Sequence, residues 1–369
     1  MTPDASPVPS THASAQADAA VRAWIWILVL LVVAMVAVGG ATRLTGSGLS
    51  ITEWRPVTGA IPPLSDAAWL IEFEKYRQID QYRLLNQGMS LGEFKVIFWW
   101  EWGHRQLGRL LGLVFFVPLA FFWLRGRVSG RLAVTLLVIG GLGGLQAVVG
   151  WIMVASGLEP GMTAVAPIKL MTHLMIASVI LVALVWVATG LRDARPEPAP
   201  SPVARGAAIL LGLVLFQIAL GALVAGSRAG WTFNTWPLMD GRLIPPMATL
   251  FASTPWIGNF VDNVALVQFN HRIVAYLLVG YALWHAWSTR RLAPGTRHAR
   301  QALALAGLCL AQAALGIVTL LLVVPLWAGL AHQVFAIVVL AMATAHLRMA
   351  REARSVAVET QPPRAAVTA

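Results

Sequence analysis

Two pentads decide how this chain folds: Glu101-Trp102-Gly103-His104-Arg105 and Gln268-Phe269-Asn270-His271-Arg272. Each places a histidine and an arginine inside an otherwise apolar stretch, where an ionisable group is costly and marks function by default. Around them the 369 residues are 58% hydrophobic and only 12% charged, about half the charge of a soluble protein. The mean hydropathy is +0.71. Runs of about 20 apolar residues, the length that crosses ~30 Å of hydrocarbon, fall near 22–41, 98–123, 132–154, 168–190, 206–226, 265–288, 301–324 and 327–349. The fold class expected is an all-α integral membrane protein with eight transmembrane helices.

The pentads lie in spans 2 and 6, and two further landmarks keep the same order. Gln146-Ala147-Val148-Val149-Gly150 in span 3 matches Gln312-Ala313-Ala314-Leu315-Gly316 in span 7, and Thr172-His173 matches Ala331-His332 at the starts of spans 4 and 8. Four spans separate the copies, so the repeat is parallel. It predicts two pseudo-symmetric four-helix bundles: a disordered tail over 1–21, one bundle over 22–190, a Pro-rich linker over 191–205, the second bundle over 206–349 and a tail over 350–369. Residues 1–20 have no apolar core and do not read as a signal peptide.

Basic residues orient the bundles. The connections after spans 2, 4 and 6 carry Arg125, Arg127, Arg131, Arg192, Arg195, Arg205, Arg290, Arg291, Arg297 and Arg300, whereas those after spans 3 and 7 carry only Lys169. By the positive-inside bias both termini are cytoplasmic and the long connections 42–97 and 227–263 are on the outer face. The net charge of +11 is therefore chiefly a topology signal. No basic cluster with interleaved aromatics suggests nucleic acid, and the single Cys309, in span 7, excludes a disulfide within the chain and a Cys-ligated cluster.

With that topology His104, His173, His271 and His332 each fall within roughly two turns of an outer helix end, ~10 Å deep at 1.5 Å per residue. They form one layer near the outer face, two per half. One such histidine is readily explained by a hydrogen bond to a neighbouring helix; four in register favour ligands. The Met, Leu, Ala and Val around His173 and His332 offer no further zinc ligands. Haem suits better, with an imidazole on each side of the iron, apolar walls and cations at the edge for propionates. Arg105, Arg272, Arg43 and Arg228 are the candidate cations, with interfacial snorkelling as the alternative role.

The copies differ at one informative position. Three residues before His104 stands Glu101; before His271 stands Gln268. A carboxylate can move protons or stabilise a cation and an amide cannot, which points to chemistry in the first half and a permanent electron-transfer cofactor in the second. The alternative is that Glu101 pairs with Arg105 and only anchors its helix.

The stretch Glu101-Trp102-Gly103-His104-Arg105-Gln106-Leu107-Gly108-Arg109, the segment Gly40-Ala41-Thr42-Arg43-Leu44-Thr45-Gly46-Ser47-Gly48-Leu49-Ser50 with Thr52-Glu53-Trp54, and Phe269-Asn270-His271-Arg272 resemble the haem A synthase family over nearly the whole chain, from about Arg22 to Arg348. The resemblance implies a bacterial inner-membrane enzyme that oxidises the C8 methyl of haem O to a formyl group by successive hydroxylations, giving haem A for cytochrome oxidase. It implies that His104 and His173 flank the substrate haem with Glu101 near the reacting group, and that His271 and His332 ligate a resident haem b. Haem O synthase and cytochrome oxidase assembly factors are the partners it suggests, beside membrane lipid. Some bacterial members carry an outer-loop cysteine pair that this chain lacks, so a thiol-dependent step is not carried over.

Two other readings compete. His285 and His346 follow His271 and His332 by 14 residues, a spacing that could hold a second haem in a quinol-linked transmembrane cytochrome b; their places beside Arg290 and Arg348 read instead as interfacial. A transporter would place its polar residues at the midplane, not near one face. His12 and His298 are expected to have no special role.

Overall fold

The structure, a computed structural model, describes residues 11–192, 197 and 199–359. Residues 1–10 and 360–369 of the expected tails, and residues 193–196 and 198 of the linker, lie outside the described residues. Eight long helices carry the chain: α1 (Thr11–Leu44), α2 (Leu91–Leu124), α3 (Gly130–Gly157), α4 (Pro167–Gly190), α5 (Ser201–Gly226), α6 (Val264–Leu292), α7 (Arg297–Leu321) and α8 (Leu326–Glu359). Among the described residues seven of these are long and apolar enough to cross a membrane; α6 is not among them. Eight crossings were expected. The polar run Gln268, Asn270, His271 and Arg272, with His285, Ser288, Thr289, Arg290 and Arg291 toward the other end of α6, lowers its hydropathy while its length stays that of its neighbours.

Local chemistry sets the helix ends. Ser90 and Glu93 form a capping box in which each side chain satisfies the other's backbone N–H, two orphan donors met at once. It starts α2 at Leu91, well before the expected span start near 98. Pro167 and Pro202 stand in the first turns of α4 and α5, where a missing N–H costs nothing; α5 thus begins at Ser201, inside the segment assigned to the linker. The Thr296 side chain caps α7, and the Asn263 side chain accepts from Ala265 and Leu266 at the head of α6. At the other end α1 is helical from Thr11, within the stretch read as tail.

Packing follows the repeat. α1 packs on α2 and α4, and α4 on α3; in the second half α5 packs on α6 and α8, and α7 on α6 and α8. In both halves the histidine-bearing helices, α2 with α4 and α6 with α8, stand diagonally opposite. The halves differ at one seam. α6 and α7 pack extensively, whereas α2 meets α3 over a short stretch that includes Gly140 against Phe115 and Phe116. Across the junction α4 meets α5 and α8, and α1 meets α8. There Gln333 of α8 donates to the Val36 carbonyl of α1 at 2.8 Å, a side chain that only glycine at position 40 leaves room for. One apolar core, with Leu28, Leu181, Leu184, Leu210, Leu305 and Leu340 essentially inaccessible, runs through both halves. The long connection after α1 has its own small core of Trp69, Tyr76, Phe94 and Phe98.

Candidate functional site

Each of the four histidines rests on a glycine of another helix. A Cβ placed on Gly39 of α1 would lie 2.9 Å from Cε1 of His104; on Gly150 of α3, 2.8 Å from that of His173; on Gly221 of α5, 3.1 Å from that of His271; and on Gly316 of α7, 2.7 Å from that of His332. Odd-numbered helices supply the glycine and even-numbered helices the imidazole, four times over. The glycine lets the ring approach the backbone more closely than any side chain would permit.

One turn before three of these glycines stands a glutamine. Gln146, Gln217 and Gln312 donate through Nε2 to the carbonyls of His173 (2.9 Å), His271 (3.0 Å) and His332 (2.9 Å). In the second half the same amides also lie against the rings, 3.0 Å from Nδ1 of His271 and 3.2 Å from Nδ1 of His332. The Oε1 of all three glutamines, and Nδ1 of His173, are buried without a partner. The sequence reading paired Gln146 and Gly150 with Gln312 and Gly316 but missed Gln217 and Gly221; the recurring Gln-x-x-x-Gly pattern was the available signal.

His271 and His332 face each other with ring centres 6.5 Å apart. Two imidazoles bound in line to one metal through bonds of ~2 Å have ring centres roughly 6 Å apart, so the pair stands at the separation a single ion between them requires. Among the described residues no group of three or more His, Cys, Asp or Glu could hold a metal, which leaves paired imidazoles as the ligand set on offer.

Glu101 is buried, and both its oxygens are occupied. Oε2 accepts from the Ser50 hydroxyl at 2.7 Å and the Ile51 N–H at 2.8 Å, and Oε1 accepts from Arg105 at 2.6 Å. The pairing with Arg105, considered from sequence as the anchoring alternative, is therefore present. Gln268 sits in the mirror arrangement with reversed polarity: its Nε2 donates to the carbonyls of Ala229 (2.7 Å) and Thr232 (2.6 Å), and its Oε1 accepts from Arg272 at 2.8 Å. Carboxylate and amide each tie the connection before their helix to the histidine helix, and only Glu101 brings a charge.

The four candidate arginines divide in two. Arg105 donates to the carbonyls of Ile51 and Glu53, and Arg272 to those of Phe233, Thr235 and Leu238, so both are committed to holding connections in place. Arg43 donates to the carbonyls of Ala225 and Gly226 at the end of α5, and Arg228 stacks over Trp231. In both, and also in Arg272, Nε is buried without a partner.

His285 and His346, expected at the interface, are instead buried, at 2% and 0% exposure, and bonded directly, Nε2 to Nε2 at 3.0 Å. An ion in line between two imidazoles needs roughly 4 Å from nitrogen to nitrogen, so this pair has no room for a haem iron. Its other contacts include Gly206 of α5, against which His285 rests as the four candidate ligands rest on their glycines, Gln301 Oε1, 3.2 Å from Nδ1 of His346, and the Tyr281 ring, stacked on His285. His298, also buried, lies 3.0 Å from the Glu197 carbonyl. These contacts join the start of α7 to the linker and to α8, a role the sequence reading did not give His298. The side chain of His12 lies outside the described residues. Cys309 is buried in the core.

The sequence matches known proteins over most of its length. Residues 22–344 match the COX15-CtaA family, described as cytochrome oxidase assembly protein. The chain is 64% identical over 335 residues to a protein named Heme A synthase from Methylobacterium sp. strain 4-46, covering 91% of this chain and 93% of that one. It is 65% identical over 325 residues to the Heme A synthase of Methylobacterium nodulans (88% and 90% covered) and 51% identical over 333 residues to that of Brucella abortus (90% and 92% covered). The chain belongs to the COX15-CtaA family of cytochrome oxidase assembly proteins.

Proposed function

We propose that this chain is a multi-pass membrane oxidoreductase that converts haem O to haem A by oxidising the C8 methyl to a formyl group, in the bacterial inner membrane with both termini cytoplasmic. On this reading α6 also crosses the bilayer, completing eight spans in two pseudo-symmetric bundles. Its polar face turns inward against α5 and α7, where the cost of polar groups in a membrane is met by protein partners. The domain plan keeps its sequence-derived order: tail, N-terminal catalytic bundle, cytoplasmic linker, C-terminal bundle with resident haem b, tail.

The observation that carries the reading is the fourfold imidazole-on-glycine arrangement with Glu101 in one half and Gln268 in the other. The residues present fit haem. His271 and His332 stand at bis-imidazole separation, and unpartnered buried acceptors lie beside the ligand rings. His271 and His332 hold the resident haem b; His104 and His173 flank the substrate haem. Bound haem b supplies a one-electron relay. Arg43 and Arg228, which are not tied to the connection carbonyls that hold Arg105 and Arg272, are the better propionate partners, while Arg105 and Arg272 act mainly as loop anchors. The loose α2–α3 seam, against the tight α6–α7 seam, suits a half that admits and releases an amphiphilic substrate.

Within the first half the work of the protein is placement and charge. The His–Gly contacts of His104 and His173 fix the substrate's depth and rotation. Glu101 holds a negative charge at the reacting edge, matched by Arg105, where it stabilises positive charge developing on the substrate or takes a proton as the methyl is oxidised. The Ser50 hydroxyl is the neutral donor on Glu101 that can turn away to free a lone pair. Haem O synthase, as the source of substrate, and assembly factors that receive haem A are the expected partners.

The deciding experiment purifies the protein and identifies extracted haems by chromatography and mass. Haem b together with haem O, a hydroxylated form or haem A is the expected result; haem b alone at every occupancy would make the protein an electron carrier.

A further inference from the structure

We propose that the segment 243–261 of the second long connection is seated in the outer leaflet of the membrane, at the boundary between headgroups and acyl chains. The inference rests on the reading above, in which α6 crosses the bilayer with its Val264 end outward.

The segment carries no charge. From Leu243 to Val261 it holds no Asp, Glu, Lys, Arg or His, and the flanking charges are Arg242 and Asp262. Leu243, Ile244, Met247, Trp256, Ile257 and Phe260 are nevertheless exposed, Leu243 at 76% and Trp256 at 62%. Phe260 makes ring contacts with both Phe251 and Trp256, so the aromatic members form one cluster. The connection of the first half also exposes apolar side chains, but it mixes them with the ion pairs Arg55–Glu53, Lys75–Glu72 and Arg77–Glu74, which belong in water. An exposed apolar surface with a polar rim marks an interaction site. Two observations identify its occupant as lipid.

One is the backbone. Lipid offers no water to peptide groups, so irregular chain at that depth must find its partners within the protein. Pro245, Pro246 and Pro255 have no N–H to satisfy. Asn259, fully buried, accepts from the Ser253 N–H at 3.0 Å and donates to the carbonyls of Ser253 and Trp256, both at 2.8 Å. Asn263 donates to the Thr249 carbonyl at 2.9 Å, and the N–H groups of Thr249, Leu250 and Phe251 close the short helix Met247–Leu250 onto Pro246 and Met247. Apolar side chains thus face outward while two asparagines bind the chain inward.

The other is position. The 29 residues of α6 span ~43 Å at 1.5 Å each, which matches the ~40–45 Å of a bilayer with its headgroups. With Arg290 and Arg291 at the inner surface, the first turn of α6 lies in the outer headgroup layer. Leu250 is buried against Ala265 and Leu266 of that turn, which fixes the segment at the same level. From there its exposed side chains reach the acyl boundary, the depth at which interfacial segments settle. The helix that carries His271 is therefore flanked by a lipid-immersed cap, whereas the charged connection of the first half stays in water.

The test uses the purified full-length protein in vesicles of phosphatidylethanolamine and phosphatidylglycerol, spin-labelled at single cysteines in a Cys309→Ala background. Leu243→Cys, Met247→Cys and Ile257→Cys report on the segment, and Glu74→Cys, on an exposed side chain of the first connection, is the aqueous reference. Collision of the label with oxygen, which concentrates in lipid, is compared with collision with a water-soluble nickel chelate. The oxygen-to-nickel ratio should be several-fold higher at 243, 247 and 257 than at 74, and three positions keep the result readable if one variant folds poorly. A ratio at the segment equal to that at 74 overturns the proposal. Shielding from both reagents overturns it too, since a second copy or another protein would then cover the segment. The underlying topology is tested apart, by treating right-side-out membrane vesicles carrying Arg242→Cys in the same background with an impermeant maleimide; absence of labelling there would overturn the orientation of α6 itself.

Discussion

His271 and His332 approach from diagonally opposite helices with ring centres 6.5 Å apart and planes at 80°, each ring resting on a glycine of a third and a fourth helix. The two imidazoles are thus positioned by four helices at once. Loss of either ligand should empty the site.

His271→Ala and His332→Ala are expected to lose haem b from the purified protein, seen as disappearance of its Soret and α bands. His104→Ala and His173→Ala should retain haem b while losing the capacity to make haem A. A normal haem b content in His271→Ala contradicts the assignment of the second half.

Glu101→Gln converts the first half to the polarity of the second. The amide keeps the volume and the bond from Arg105 but carries no charge, so haem b should remain bound and haem A formation should fall by at least ~10². Haem extraction from cells expressing the variant measures this directly. Undiminished haem A would remove Glu101 from the mechanism.

Glycine contacts provide a graded test. Gly316→Ala would put a methyl 2.7 Å from Cε1 of His332 and Gly221→Ala one 3.1 Å from that of His271, so haem b occupancy should drop in both and further in the first. Gly307→Ala, on the same helix as Gly316, meets nothing within 4 Å and should instead stabilise by up to ~1 kcal/mol through helix propensity alone. Thermal unfolding followed by circular dichroism, alongside the haem-to-protein ratio, separates the two effects.

The pair His285–His346 is a matter of stability. Replacing one member by leucine strands the other's buried nitrogen and should cost about 1–3 kcal/mol with haem content unchanged. Replacing both should cost less than the two single changes added together. Loss of a haem from either variant would revive the two-haem carrier.

Much of the fold was legible because hydrocarbon thickness fixes helix length. The helices that carry His104, His173, His271 and His332 followed from that rule. Rotation and partnership did not follow. Whether His285 faces lipid or His346 depends on how α6 turns against α8, which hydropathy along one helix does not specify. Gln217 went unnoticed for a related reason: a glutamine one turn from a glycine has meaning only once the neighbouring helix brings an imidazole to that glycine. The capping box at Ser90 was local and readable in principle, yet the hydropathy window overrode it and placed the start of α2 too late. The same window fails on α6, because the polar groups that make a site are the ones that dilute its apolar signal.

The junction between the halves has the pairing of an isologous interface: α1 meets α8 as α5 meets α4, and α4 meets α8, the equivalents of one another under the repeat. A twofold axis between α4 and α8 turns the α1–α8 contact into the α5–α4 contact and maps the α4–α8 contact onto itself. That is the geometry of a homodimer of four-helix subunits, now covalently joined through residues 191–200. In a joined pair each copy can change alone, and Glu101 in one half against Gln268 in the other is a position where the two differ.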